Sequence, residues 1–347
     1  MGHWPGQRGP MFIFYDQEPI YGEFNHRLLD HIQNSYMGPF VLITTEKNSD
    51  ALDSIYAKYK WPIVYYFHHI FAAHDWFRGH YYDPLIIHPT KRTLKKKYIS
   101  FNRITGSRRV YRSLLINELV VRDILDQGYV SYNDTCSEGG TYQEHLIKGA
   151  EDGLYSVELA QEAIANIGSI QLPLRIDYQD QAVIPNHSMQ LSATEYSQES
   201  FIYVVTETCF WERKDHLTEK IFKPIVSMMP FVLVGPANNL KYLRSYGFRT
   251  FDQWIDESYD AIEDPIERLQ AVGAVLHDLS NRSLDDLTAM LYEMTPVLEH
   301  NRNLFYSREF VDSAWKELAN NLSAVISTFP KIDYSKVVRV PRTKQSW

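Results

Sequence analysis

Three blocks decide the reading of this chain: Phe201-Ile202-Tyr203-Val204-Val205-Thr206-Glu207-Thr208, then His216-Leu217-Thr218-Glu219-Lys220, then Met229-Pro230-Phe231-Val232-Leu233-Val234-Gly235-Pro236. Residues 201–206 are a continuous apolar run of strand length, rich in β-branched and aromatic side chains, which predicts a strand buried on both faces. Residues 215–228 predict a helix, and 230–234 predict the next buried strand, ending in a Gly-Pro turn. Strand, helix, strand is the unit of a parallel sheet. In such a sheet the strand end and the start of the following helix face the ligand crevice. The free backbone N–H groups and partial positive charge of a helix start favour a diphosphate. Lys220 adds a full charge there, and Glu219 can accept hydrogen bonds from ribose or sugar hydroxyls. Taken alone, Glu219-Lys220 reads as an exposed pair on a helix face; the full arrangement shifts that balance.

The same alternation runs outward to Met11. Residues 12–15, 40–44 and 62–67 predict strands. Residues 25–33 predict a helix with Leu28, Leu29 and Ile32 on one face, and a second follows Ser49, a candidate N-cap, with Leu52, Ile55 and Tyr56 in its stripe. Residues 81–97, rich in Pro, His and Tyr and then basic, break the pattern and predict a linker. Beyond it come a strand at 98–102, a loop with Gly106 and a helix over 109–126. Residues 128–199 carry turn signals at Asn133, Gly139 and Gly140 and helical signal at 156–167, and read as an insertion. Asn238 or Asn239 can cap a helix through Tyr246, and further helices are predicted at 266–279, 284–299 and 310–326. The expected fold class is α/β: two Rossmann-type parallel-sheet domains, 11–90 and 91–330, facing a cleft, with C-terminal helices.

A length of 347 residues suits two domains, and 44% hydrophobic with 22% charged residues is a globular balance that excludes disorder. The two cysteines, Cys136 and Cys209, allow no disulfide framework and no CxxC metal motif, so a reducing, cytoplasmic setting is expected. No apolar run approaches membrane-span length, and the first ten residues lack the apolar stretch of a signal peptide. The net charge is −8, yet residues 91–112 hold nine Lys or Arg and no acid. An acidic protein with one compact basic segment argues against a general nucleic-acid binder and for a localised anion site. For 91–97 alone, a solvated basic linker is an equal reading. There is no GxGxxG and no GxxxxGK[ST], so dehydrogenase and P-loop readings have no motif support. His68, His69, His74 and His80 fit no zinc spacing and read as cleft-lining or structural, with Asp75 and Trp76 as candidate acceptor contacts.

The three blocks resemble the α1,3-fucosyltransferase family, in which a strand ending Phe-Glu-Asn precedes Tyr-x-Thr-Glu-Lys, a helix, and Val-Pro-Val with a following Gly. The counterparts are Val205-Thr206-Glu207-Thr208, His216-Leu217-Thr218-Glu219-Lys220 and Met229-Pro230-Phe231-Val232, and the match covers residues 201–251 well and the rest loosely. Ser100-Phe101-Asn102-Arg103 through Arg108-Arg109-Val110-Tyr111 is similar to the family's strand-loop-helix, whose Arg contacts the donor diphosphate. Arg109 is the counterpart, with Arg103 second, each suited to bidentate phosphate contact; surface arginines at a helix start are the open alternative. Tyr15-Asp16-Gln17-Glu18-Pro19 resembles the Glu-Ser-Pro that supplies the family's general base. Glu18 is the counterpart, and Asp16 reads rather as a loop carboxylate.

The departures are Thr208 in place of Asn, no Ser between Glu18 and Pro19, and a long span from Arg109 to Lys220. They bear on the sugar and acceptor more than on the reaction type. The resemblance implies a GT-B fold and a glycosyltransferase that moves fucose from GDP-fucose onto a hydroxyl of a glycan or other acceptor. It implies inversion, no cofactor and no strict metal requirement. It also implies Glu18 as base, with Arg109, Arg103, Glu207, Thr218, Glu219 and Lys220 holding the donor. Glu212 and Glu219 are one residue short of the paired-Glu spacing of retaining transferases, which also favours inversion. Trp211 and Arg213 are open to contact with the donor base or to a simple loop role. Two alternatives stand beside this: a transferase using another nucleotide sugar, including one acting on a modified nucleic-acid base, and a non-catalytic carbohydrate- or nucleotide-binding protein on the same scaffold.

Overall fold

The computed structural model describes residues 9–36, 38–176, 190–191 and 193–329. Its first sheet holds β1 (Met11–Tyr15), β2 (Phe40–Thr44) and β3 (Ile63–Tyr65), in that order and all parallel. The connections are α1 (Gly22–Ser35) and α2 (Asp50–Tyr59). β2 is the middle strand and is buried along its whole length, as its unbroken apolar run requires. Ser49 caps α2 by accepting from the Leu52 N–H. Leu29, Leu52, Ile55 and Trp61 pack with Phe40 and Leu42 on one face of this sheet.

The second sheet holds β4 (Lys96–Asn102), β5 (Gly128–Tyr132), β6 (Ser200–Thr206) and β7 (Phe231–Val234), in the order β5-β4-β6-β7 and again all parallel. The chain leaves β4 for β5 on one side and returns to β6 on the other, so the order reverses between β4 and β6. At such a reversal the flanking crossovers diverge and leave a crevice at the carboxyl ends of the strands, here beyond Asn102 and Thr206.

The structure differs from the expected pattern at three places. Residues 128–199 are not an insertion: they begin with β5, paired to β4 from Tyr98–Gly128 to Asn102–Tyr132. They continue into α5 (Tyr142–Glu151), α6 (Val157–Gly168) and α7 (Thr194–Gln198), with 177–189 outside the described residues. β5 escapes a sequence reading because it is an edge strand, only partly buried and flanked by turn residues. Residues 68–80 hold a helix, α3 (His68–Phe77), whose Ile70, Ala73 and Phe77 are buried. Between β4 and β5 lies α4 (Tyr111–Val121). The helix read from 215 begins only at 219, as α8 (Glu219–Val226). Asp215 instead exchanges backbone hydrogen bonds with Lys47 of the first domain, at 3.1 and 2.8 Å.

The second domain, expected to run to 330, gives up its last helix to the first sheet. After α9 (Asn239–Ser245), α10 (Pro265–Ser280) and α11 (Leu284–Tyr306), the last helix, α12 (Arg308–Ile326), returns to the first sheet. Its Leu318, Leu322 and Val325 pack on Val41, Ile43, Val64 and Tyr66, and Asn321 donates to the Tyr65 carbonyl at 2.9 Å. It covers a face of the first sheet, which would otherwise leave β2 side chains in water. By packing, α12 belongs to the N-terminal domain.

Candidate functional site

A cleft of about 440 Å³ lies between the two sheets, within the ordinary range for ligand sites. Its inner wall is the join between β6 and α8. Thr218 has extended backbone and caps α8, its Oγ1 accepting from the Lys220 N–H at 3.4 Å. The same hydroxyl donates to Glu207 Oε2 at 2.5 Å, and Glu207 also accepts from the backbone N–H of Thr218 and of Thr208, each at 3.3 Å. Glu207 is wholly buried. Burial pushes its carboxyl up, against the pull of Lys220. The structure therefore places Glu207 behind the cleft wall, where it ties the end of β6 to the helix cap. It is not among the cleft-lining residues.

Lys220 does face the cleft, 30% exposed. Its Nζ lies 3.1 Å from Thr208 Oγ1, 3.2 Å from Thr218 Oγ1 and 3.0 Å from Glu219 Oε1. Glu219 is nearly buried, which opposes its ionisation, but Lys220, His69 and Lys223 outweigh this and hold its carboxyl at about 2. One turn on, Lys223 also lines the cleft; burial pushes it down to about 8, with Glu219 resisting.

Arginines from the β4–α4 connection of the same domain also line the cleft. Arg103 directly follows β4 and is exposed in the cleft. Arg109 ends a short 3₁₀ turn before α4, its guanidinium 3.4 Å from Glu138 Oε1 and 4.0 Å from Glu18 Oε2. Glu18, two-thirds exposed, reaches this position from the N-terminal domain, so the Arg109–Glu18 pair spans the cleft. Arg112, which the sequence reading does not single out, is buried and donates to the carbonyls of Ile104 and Thr206 at 2.8 Å and of Glu207 at 3.1 Å. It clamps the ends of β4 and β6. Its three-residue spacing from Arg109, within one helical turn, is the signal that could have found it.

The basic segment is not one anion site. Of its cations only Arg103, Arg109 and Arg112 line the cleft. Arg92 is buried and donates to the carbonyls of Ile87 and Ser227, Lys95 pairs with Glu199, and Lys96 and Lys97 donate to the carbonyls of Asp126 and Arg282. Trp211 and Arg213 lie outside the cleft lining. Trp211 Nε1 donates to the Arg108 carbonyl at 2.8 Å, and Arg213 bridges to the first domain through Asp50 at 2.5 Å and Asp53 at 3.0 Å. Asp75 pairs with Arg78 in solvent, whereas Trp76 lines the cleft.

Of the four histidines, His68 and His69 line the cleft. His69 is buried, and burial pushes it down to about 3, so it is neutral near pH 7 and acts on Glu219 as a cation only in the acid range where Glu219 itself titrates. Its Nδ1 stands 3.9 Å from Glu219 Oε2. His80 pairs with Asp83 at 2.7 Å. Asp16 is not among the cleft-lining residues and accepts from Tyr66. Among the described residues no group of three or more His, Cys, Asp or Glu is arranged to hold a metal ion, and no helix is long and apolar enough to cross a membrane.

Fold and site together define an α/β protein with two parallel sheets, C-terminal helices and a cleft whose second-domain wall is cationic. No protein-family model matches the chain, and neither does any curated protein or solved structure.

Proposed function

We propose that the cleft binds a nucleotide-diphosphate sugar and that the protein is a glycosyltransferase of GT-B type. The first candidate reaction moves fucose from GDP-fucose onto an acceptor hydroxyl with inversion. The observation that carries this reading is the convergence of Arg103, Arg109, Lys220 and Lys223 on one cleft at the β4–β6 reversal. A small-molecule anion with several charges is the ligand such a set suits, and guanidinium groups meet phosphate bidentately. Two of the Lys220 contacts are to neutral hydroxyls, which a phosphate oxygen can displace by a stronger charge-assisted bond.

In this reading the acceptor oxygen attacks the anomeric carbon while the bond from that carbon to the phosphate oxygen breaks. The electron pair leaves with the diphosphate, and Lys220 and Arg109 disperse its charge. A group on the N-terminal wall takes the hydroxyl proton, Glu18 being the candidate named by the sequence. Side chains neutralise the diphosphate, and the reading calls on no cofactor. Cys136 and Cys209 are both free thiols, which suits a cytoplasmic setting.

Thermal stabilisation against a nucleotide panel tests the reading, because a ligand that binds only the native state raises apparent stability by mass action. A shift with GDP and GDP-fucose, and little with UDP or CMP compounds, is the expected outcome. A shift with UDP or CMP compounds alone keeps the transferase and discards fucose. Binding of a nucleotide sugar without turnover on any acceptor indicates a binding protein. No shift with any nucleotide removes the donor site.

A further inference from the structure

Asp16, Tyr66 and His68 form a chain of contacts that the reading above leaves unused. Asp16 directly follows β1, and Tyr66 and His68 follow β3, so all three stand at the carboxyl ends of first-sheet strands. Crevices of parallel sheets open at those ends. Tyr66 Oη donates to Asp16 Oδ2, and the same phenol oxygen lies 3.0 Å from His68 Nδ1. Tyr66 has one proton to give. Its contact with a carboxylate oxygen requires that proton in between, since two unprotonated oxygens repel. Burial, with Asp16 beside it, pushes the phenol's ionisation up, so the proton stays.

The network thereby assigns the tautomer of His68. Nδ1 must donate to the phenol oxygen, and a neutral imidazole has one N–H, so Nε2 keeps its lone pair. Asp16 Oδ2 is 3.7 Å from Nδ1, so positive charge arriving on the ring meets a carboxylate. His68 is 29% exposed and lines the cleft. Its ring lies 5.3 Å from that of His69, which reaches Glu219 beside Lys220.

We propose that His68 Nε2 is the proton acceptor of the transfer, with Tyr66 and Asp16 as the positioning residues that fix its tautomer; this role rests on the transferase reading of the cleft. The acceptor hydroxyl gives its proton to Nε2 as its oxygen bonds to the anomeric carbon. The bond from that carbon to the diphosphate breaks, and its electron pair leaves with the diphosphate. Glu18, facing Arg109, then serves to hold the donor arginine.

Two measurements test this. Long-range ¹H–¹⁵N imidazole spectra, with His68 assigned through His68→Gln, are expected to show Nδ1–H and a bare Nε2, and Tyr66→Phe to weaken that preference. An Nε2–H tautomer in the wild-type protein overturns the proposal. Release of GDP from GDP-fucose is expected to fall by about 100-fold or more in His68→Gln, with GDP affinity unchanged. Turnover close to wild type overturns the proposal, and so does a matching loss of GDP affinity, which would mark a donor contact. If the wild-type protein binds no nucleotide, the transferase reading falls and this role with it. Failure of His68 alone is told apart by GDP binding that remains intact.

Discussion

Lys214 and Glu46 form an ion pair with no exposure to solvent, Nζ 3.1 Å from Oε2, across the boundary between the two domains. Lys214 also donates to the Ile20 carbonyl at 3.0 Å, and Glu46 accepts from the Ile20 N–H at 3.3 Å and the Ser49 hydroxyl at 2.7 Å. Together with the Lys47–Asp215 backbone bridge, this pins the loop after β2 to the loop before α8. The separation of the cleft walls is thus set at one edge by contacts that satisfy both buried charges.

Removing one partner leaves the other buried and uncompensated. Lys214→Met and Glu46→Gln are each expected to cost about 3–5 kcal/mol, read from urea denaturation midpoints. The double variant is expected to lose less than the sum of the two. Strict additivity would show that the two side chains do not couple.

Lys220 supplies one of the cations at the proposed phosphate site. Lys220→Ala is expected to weaken GDP binding by about 1.5–3 kcal/mol, roughly 10- to 100-fold. Calorimetric titration measures this directly. An unchanged affinity removes Lys220 from the phosphate site.

Glu219 carries a pH dependence with a definite sign. Its carboxyl is held at about 2, below its ordinary 4.5. A group depressed by folding contributes stability that is present above its unfolded value and lost as pH falls through its folded one. The advantage of the wild-type protein over Glu219→Gln is therefore expected to shrink between pH 4.5 and about 2. Denaturation midpoints across that range provide the check, and a constant gap would exclude the ion-pair explanation.

Arg213 faces Asp50 and Asp53 in a half-exposed setting. Exposed pairs of this kind are worth about 0–1 kcal/mol, so Arg213→Ala is expected to melt within a few degrees of wild type. GDP affinity in the same variant is expected to be unchanged. A tenfold weakening would return Arg213 to the donor base.

Local pattern was enough for the parallel α/β class. Continuous apolar runs such as Phe40–Thr44 and Phe201–Thr206 can be buried only between layers of helices. It was also enough to bring Arg103, Arg109, Thr218, Glu219 and Lys220 to strand ends and helix starts, because their positions follow from chain order. The edge strand β5 was illegible, since a partly buried run among turn residues carries no strong periodicity.

What the sequence determined alone was therefore most of the elements, the sheet class and the nearness of a basic set to one crevice. Only the tertiary structure decided which way side chains turned and what they met. A carboxylate at the end of β6 reads the same whether it faces a ligand or a helix cap, and Glu207 faces the cap. An amphipathic α12 states that it has a buried face, but not that the first sheet fills it. Asp16 and His68 are far apart in the chain, and they meet because β1, β2 and β3 align in parallel register. Burial and pairing are set by residues distant in sequence, which is why no local pattern holds them.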